Sequence, residues 1–252
     1  MKTKILDIIK IKRKILDISF LAKEGHIPSS YSVLNILDIL VKFFIFKNKK
    51  YLNNFILSKG HAVLGYYAVL NFHGYIREKK FLNFCKYKNP LGGHPSLNLQ
   101  TFTSASTGSL GHGFPIIAGM AYSDPKKNYY TIIGDQECNE GTIWETFFFC
   151  SHHKIKNLTV IIDRNFSRNE ALSLGNLKSK LKQFFNNIMT INGHNNKQIL
   201  KSLKIRSNST KIIIANTIKG FGIKLMEHNN EWHHKFPKDK SDLEKLKKMV
   251  IY

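Results

Sequence analysis

Cysteine is scarce, and its spacing suggests no pairing. Cys85, Cys138 and Cys150 form no C-x-x-C couple and are odd in number, which argues against a disulfide framework and fits reduced, buried thiols in a cytoplasmic protein. Cys138 has no catalytic partner nearby in sequence, so packing is its expected role. Uninterrupted apolar sequence is also missing. The opening stretch MKTKILDIIKIKRKILDISFLAKEG is broken by Asp7, Lys10, Lys12, Arg13, Lys14 and Asp17, so it lacks a signal-peptide core. Its Ile5, Ile8, Ile9, Ile15 and Ile18 instead fit one helical face packed on the domain. No run approaches the roughly eighteen apolar residues of a membrane span, so no membrane partner is expected. Acidic residues are few: 17 Asp and Glu against 39 Lys and Arg give a formal charge of +22. Such an excess ordinarily suggests nucleic acid or an anionic surface. Here it is scattered among abundant Asn, Ile and Phe, the drift of a low-GC coding sequence, and no nucleic-acid-binding motif accompanies it. At 252 residues one large α/β domain with a sizeable core is expected, without a second full domain.

What is present gathers around residues 130–165, YTIIGDQECNEGTIWETFFFCSHHKIKNLTVIIDRN. An apolar run, Tyr130 to Ile133, stops at Gly134 and Asp135. A helical segment follows, and a β-branched run, Leu158 to Ile162, stops at Asp163, Arg164 and Asn165. This spells strand, helix, strand with polar residues at the carboxyl ends of both strands. In open parallel sheets ligands sit at such ends, so Asp135 and Asn165 can converge. A carboxylate and an amide oxygen are hard ligands suited to Mg²⁺, which leaves places for phosphate and water. Gly134 permits a sharp turn, and amides opening the next helix can face a diphosphate. On these residues alone an ordinary crossover with a Gly-Asp turn is the commoner reading, since such pairs are frequent in loops.

Elsewhere, histidines recur in loops. Residues 25–30, GHIPSS, form a loop before an apolar helix from Val33 to Phe46, and Ser58 to His61 lie between a short strand and a helix. An aromatic-rich helical pattern runs from Phe72 to Tyr87, with Phe81 and Phe84 expected in the core. LGGHPS, 91–96, is a turn carrying His94, and Gly108, Gly111 and Gly113 precede a helix from Phe114. Residues 168–190 carry a helical pattern in Leu177, Leu181, Phe184 and Phe185. INGHN, 191–195, ends a strand; Lys211 to Asn216 is another strand, and 238–252 is a charged helix.

The spelling GDQECNEGTIWETFFFCSHHKIKNLTVIIDRN resembles the thiamine diphosphate motif of transketolases, in which Gly-Asp-Gly is followed about thirty residues later by Asn. The resemblance covers most of the chain and is to the amino-terminal half, in particular the small subunit of split transketolases. It implies an α/β thiamine diphosphate-binding fold, a mostly parallel sheet flanked by helices on both faces, with residues 1–252 forming a single diphosphate-binding domain. By that resemblance Asp135, Asn165 and the carbonyl of Ser167 hold Mg²⁺, or Ca²⁺ or Mn²⁺ in its place. GHIPSS, SKGH and LGGHPS match family loops, which implies that His26, His61 and His94 face the sugar and that Lys59 and His61 approach the diphosphate. TGSLGHG is similar to the family's T-G-S-L-G-Q-G, placing Gly108, Ser109 and Leu110 against the cofactor rings. Gly134, Asp135 and Gln136 belong to the diphosphate turn; Gln136 replaces the family's second glycine, where a side chain crowds the diphosphate or bars a positive φ. Glu140 and Glu145 match E-G-x-x-x-E, with Glu140 near the subunit interface in a carboxylate network. TIKGFG and W-H-H match T-x-K-G-x-G and W-H-G, which implies Lys219 near the diphosphate and His233 over the channel. His234 replaces the glycine, and His233 is the favoured active-site histidine.

The implied reaction moves a two-carbon ketol unit from a ketose phosphate to an aldose phosphate, with His26, His61, His94 and His233 relaying protons. The pyrimidine-binding domain with its activating glutamate, and the carboxyl-terminal domain, are expected on a separate partner chain, in an α₂β₂ assembly. Two rival readings are membership of a deoxyxylulose phosphate synthase-like thiamine enzyme and a non-catalytic basic scaffold binding nucleic acid.

Overall fold

β-branched runs alternating with helical segments fold into one parallel sheet with helices on both faces. The computed structural model describes residues 5–166 and 172–251. Along the chain come α1 (Ile5–Ala22), α2 (Ile27–Leu40), a π-helical continuation (Val41–Ile45), a hairpin of β1 (Phe46–Lys47) and β2 (Lys50–Tyr51), β3 (Phe55–Leu57), α3 (Val63–Phe72), α4 (Glu78–Phe81) and α5 (Gly113–Ser123). Then follow β4 (Tyr129–Gly134), α6 (Gly141–His152), β5 (Leu158–Arg164), α7 (Leu177–Leu181), β6 (Ile188–Asn192), α8 (Asn196–Lys204), β7 (Lys211–Asn216) and α9 (Lys240–Met249). The five-stranded sheet has the order β3-β4-β5-β7-β6, with every pairing parallel.

Successive strand residues point to opposite faces, and the two cores follow that alternation. Ile132, Ile161 and Ile213 pack with α1, α2, α3, α8 and α9. Ile133, Val160, Ile162, Ile212 and Ile214 pack with α5, α6 and α7 on the other face. A sheet covered on both sides needs near-continuous apolar strands, which is why YTII, LTVII and KIIIAN lack polar alternation.

Several local expectations are corrected. Helix α2 begins at Ile27 rather than Val33, because Pro28 occupies the first turn, where its missing N–H costs nothing. His26 is therefore the residue capping a helix, not a mid-loop residue. The helix expected over 72–87 shrinks to Glu78–Phe81, since Gly74 turns the chain at φ +79°; Phe81 and Phe84 are nevertheless buried. Cys138 and Cys150 are buried, but Cys85 is exposed, in a turn with φ +56°. Ile27–Ile45 is, at 19 residues, long and apolar enough to cross a membrane, contrary to the sequence expectation; 83% of its span is buried inside the protein, as a core helix between α1 and α3.

Candidate active site

The cleft lies at the carboxyl ends of β3, β4, β5 and β7. Because Gly134 pairs with Asp163 across β4 and β5, the two polar tips sit side by side. Asp135 accepts the Gln136 N–H at Oδ1 (2.9 Å) and the Phe166 N–H at Oδ2 (2.9 Å), which ties the segment beyond Asn165 to the tip of β4. Asn165 donates Nδ2 to Asp163 Oδ2 at 3.1 Å, an arrangement that turns its amide oxygen the other way. Both line one cleft of about 280 Å³ together with Ser29, Lys59, Gln136, Lys219 and the four histidines 26, 61, 94 and 233. Ser167 lies outside the described residues.

Asp163 holds this corner together. It is fully buried and accepts from Lys59 Nζ (2.5 Å), Ser32 Oγ (2.7 Å), Thr217 Oγ1 and Asn165 Nδ2. Four segments, from α2, β3, β5 and β7, thus meet on one carboxylate. Lys59 also donates to Ser32 Oγ at 3.0 Å, and its methylenes run within 3.6–3.9 Å of where a Cβ on Gly134 would stand. Its ammonium therefore lines the cleft while already shared with Asp163. Burial and the neighbouring Asp163 push the Asp135 carboxyl up to about 6, against Lys59 and the two N–H donors. A buried carboxylate so short of positive charge suits a cation.

The histidines are close enough to act on one small molecule. The His26 ring centroid lies 5.3 Å from that of His61, 6.2 Å from His94 and 5.2 Å from His233. Burial, with help from surrounding cationic and histidine side chains, lowers His26 to about 4 and His61 well below its ordinary value. Both are neutral at pH 7, each able to donate and accept one hydrogen bond. His233 Nδ1 is 2.8 Å from Lys219 Nζ, and burial first, then Lys59, brings Lys219 down to about 8. His234 turns the other way, its Nε2 2.6 Å from Glu24 Oε1, and does not line the cleft.

The glycine loop is shaped by its neighbours. Gly111 has φ +81°, and a Cβ there would strike Thr142 Oγ1 at 2.3 Å. Leu110 lines the cleft, whereas Gly108, Ser109 and Glu140 do not; Gly108 packs on the His94 ring, and Glu140 is the exposed N-cap of α6. Gln136 opens a short 3-10 turn without a positive φ, so its backbone does not require glycine. His194 is structural, accepting the Ile218 N–H at 2.9 Å and stacking on Phe221 at 3.6 Å. Burial lifts the Cys138 thiol well above its usual range, in keeping with packing rather than chemistry.

Sequence reasoning assigned no role to Glu137. Its Oε1 accepts from Ser58 Oγ and, at 3.0 Å, from the Gly111 N–H, and its Oε2 accepts the Gly134 N–H at 3.2 Å. One buried carboxylate thus pins three of the cleft loops. Glu137→Gln places an NH₂ against at least one of these donors. It is expected to cost about 1–3 kcal/mol of stability, read as a lower midpoint in urea unfolding with an unchanged slope.

Comparison with known proteins agrees with the geometry. The family described as "Transketolase, thiamine diphosphate binding domain" matches residues 3–251. The chain belongs to this family. One of the subunits of the apulose-4-phosphate transketolase of Phocaeicola vulgatus is 30% identical over 245 residues, covering 90% of this chain and 87% of that protein. Human transketolase is 33% identical over 238 residues, covering 88% of this chain but 38% of its own length. Among solved structures, transketolase from Campylobacter jejuni subsp. jejuni superposes with a TM-score of 0.86 at 25% identity, over 99% of this chain and 43% of that one. The fold is therefore that of the thiamine diphosphate binding portion of transketolases, and the chain spans less than half of the full-length members.

The residues present fit the family's cofactor. Asp135 offers a charge-starved carboxylate, Lys59 and Lys219 bring positive charge to the same cleft, and Ser29 Oγ, buried in its wall, makes no hydrogen bond to the described residues. That donor set matches a cation, a diphosphate and one further polar group.

Proposed function

We propose that the chain is the diphosphate-binding subunit of a two-chain transketolase, transferring a two-carbon ketol unit from a ketose phosphate to an aldose phosphate. The observation that carries this reading is the meeting of Asp135 and Asn165 in a cleft ringed by His26, His61, His94 and His233. Asp135, Asn165 and the Ser167 carbonyl would hold Mg²⁺, with Ca²⁺ or Mn²⁺ as substitutes. Lys219, the Gly134–Gln136 turn and, through its shared ammonium, Lys59 would bind the diphosphate. Gly108, Ser109 and Leu110 would contact the cofactor rings, with Glu140 at the subunit boundary. Thiamine diphosphate, when bound, supplies the electron sink for carbon–carbon cleavage. The chain's own part is to orient the sugar and move protons at its hydroxyl and carbonyl oxygens. Neutral His26 and His61 suit that work, and Lys219 beside His233 keeps that imidazole neutral as well, burial and the ammonium both lowering it.

A partner bearing the pyrimidine-binding domain and its glutamate would complete the site, most simply as α₂β₂. Two features support this. The Phocaeicola vulgatus relative, itself one chain of a multi-subunit transketolase, is of similar length, and α5 and α6 leave Ile116, Tyr122 and Phe148 exposed, an apolar surface of the kind interfaces cover. The single diphosphate-binding domain and a cytoplasmic setting belong to the same reading. The purified chain alone is expected to give no turnover of xylulose 5-phosphate with ribose 5-phosphate and to gain it on adding a carboxyl-terminal transketolase subunit. Calorimetric titration with thiamine diphosphate and Mg²⁺, with and without that partner, tests binding separately. Turnover by the chain alone would overturn the two-chain reading.

A further inference from the structure

Beside His26, which lines the cleft, two side chains converge that do not line it, Glu24 and His234. Glu24 follows α1, His26 caps α2, and His234 follows the short turn Asn230–Trp232. One ligand atom from each lies within 4.8 Å of the others. His234 Nε2 stands 2.6 Å from Glu24 Oε1, and the His26 and His234 rings are 4.5 Å apart at centroids, tilted by 43°. The Gly25 N–H donates to Glu24 Oε1 at 2.9 Å, so the carboxylate is held in place by its own backbone turn. Glu24 and His26 share the short connection between α1 and α2, His234 comes from the loop before α9, and the fold fixes both segments, which lowers the cost of organising them around an ion.

We propose that Glu24, His26 and His234 form a binding site for a divalent transition-metal ion of the zinc class, separate from the oxygen-lined Mg²⁺ corner. Two imidazoles and one carboxylate are a donor set that zinc takes tetrahedrally, with the fourth position left to water or substrate. Bonds of about 2.0–2.1 Å place such ligands roughly 3.3 Å apart, within reach of small rotations from the present positions. Mg²⁺ prefers oxygen and near-octahedral surroundings, so it does not compete well here. His234 stands where the W-H-G pattern has glycine, and without it only two of the three ligands remain. An ion held there engages the His26 imidazole. On the functional reading above, it therefore competes with the sugar and inhibits turnover; the binding itself does not depend on that reading.

Cobalt(II) is a coloured probe for such a site. The full chain, titrated with Co²⁺ in excess Mg²⁺, is expected to bind one ion tightly, with intense visible bands of low-coordinate cobalt that zinc abolishes. His234→Gly and Glu24→Gln should each weaken binding by on the order of tenfold or more, while Asp135→Asn leaves it unchanged. His234 is 47% and Glu24 33% exposed at the side chain, so neither substitution disturbs the core, and circular dichroism verifies this. If His234→Gly binds cobalt as tightly as the original chain, the ion is held elsewhere, for instance by His152 and His153 at the end of α6, and the proposal fails. It fails equally if Asp135→Asn removes the coloured site.

Discussion

Asp135→Asn is expected to weaken thiamine diphosphate binding in the presence of Mg²⁺ by roughly a hundredfold, equivalent to about 3 kcal/mol. The side chain keeps its size and can still accept one of the two N–H groups from Gln136 and Phe166. What disappears is the negative charge that a divalent cation needs. Calorimetry reads the loss directly, and thermal unfolding separates it from damage to the fold. Burial and Asp163 raise the Asp135 carboxyl from its ordinary 3.8 to about 6, so this group favours the metal-free fold below about pH 4 and loses that contribution as pH rises through about 6. At pH 7 it is therefore a liability to the metal-free chain. The Asn variant should melt at the same temperature or higher while failing to bind. The same shift makes Mg²⁺ binding by the original chain fall away as pH drops through about 6, because protons then compete with the ion. Unchanged cofactor affinity in Asp135→Asn would remove the proposed metal corner.

Asp163→Ala is expected to have the largest effect on stability. Removing one partner of a buried pair leaves an uncompensated charge, at a cost of about 3–5 kcal/mol. Here the abandoned group is the Lys59 ammonium, with a side chain 3% exposed, and Ser32, Thr217 and Asn165 lose an acceptor at the same time. For a domain of this size the melting temperature should fall by roughly 10 °C. Cofactor binding should fall too, since the Asn165 amide is no longer oriented. The double variant Lys59→Met with Asp163→Leu removes both charges and is expected to recover much of the stability without recovering binding. Full recovery of both would show that the carboxylate is only a structural plug.

Much of this was legible in one dimension. GDQEC and IIDRN mark strand ends by the abrupt change from β-branched to polar residues, and parallel pairing then requires adjacent tips to share one edge. The histidines at 26, 61, 94 and 233 were readable as lying outside the long helices and strands, although His26 proved to cap α2, and their matching order along the chain pointed to a family. Glu137 was not readable as a clamp. Two of its partners are a hydroxyl 79 residues away and an amide 26 residues away, and hydrogen bonds across such separations leave no periodic trace in sequence. The reach of Asp163 to Ser32 across 131 residues was hidden for the same reason.

The sequence by itself determined the α/β class, the strands of the parallel sheet and the family, because apolar periodicity and short motifs are local properties. Tertiary structure alone decided that His233 turns inward to Lys219 while His234 turns outward to Glu24. It also decided that Lys59 is neutralised by Asp163. Adjacent residues in a turn point in different directions according to what packs around them, and that packing exists only once distant segments have met.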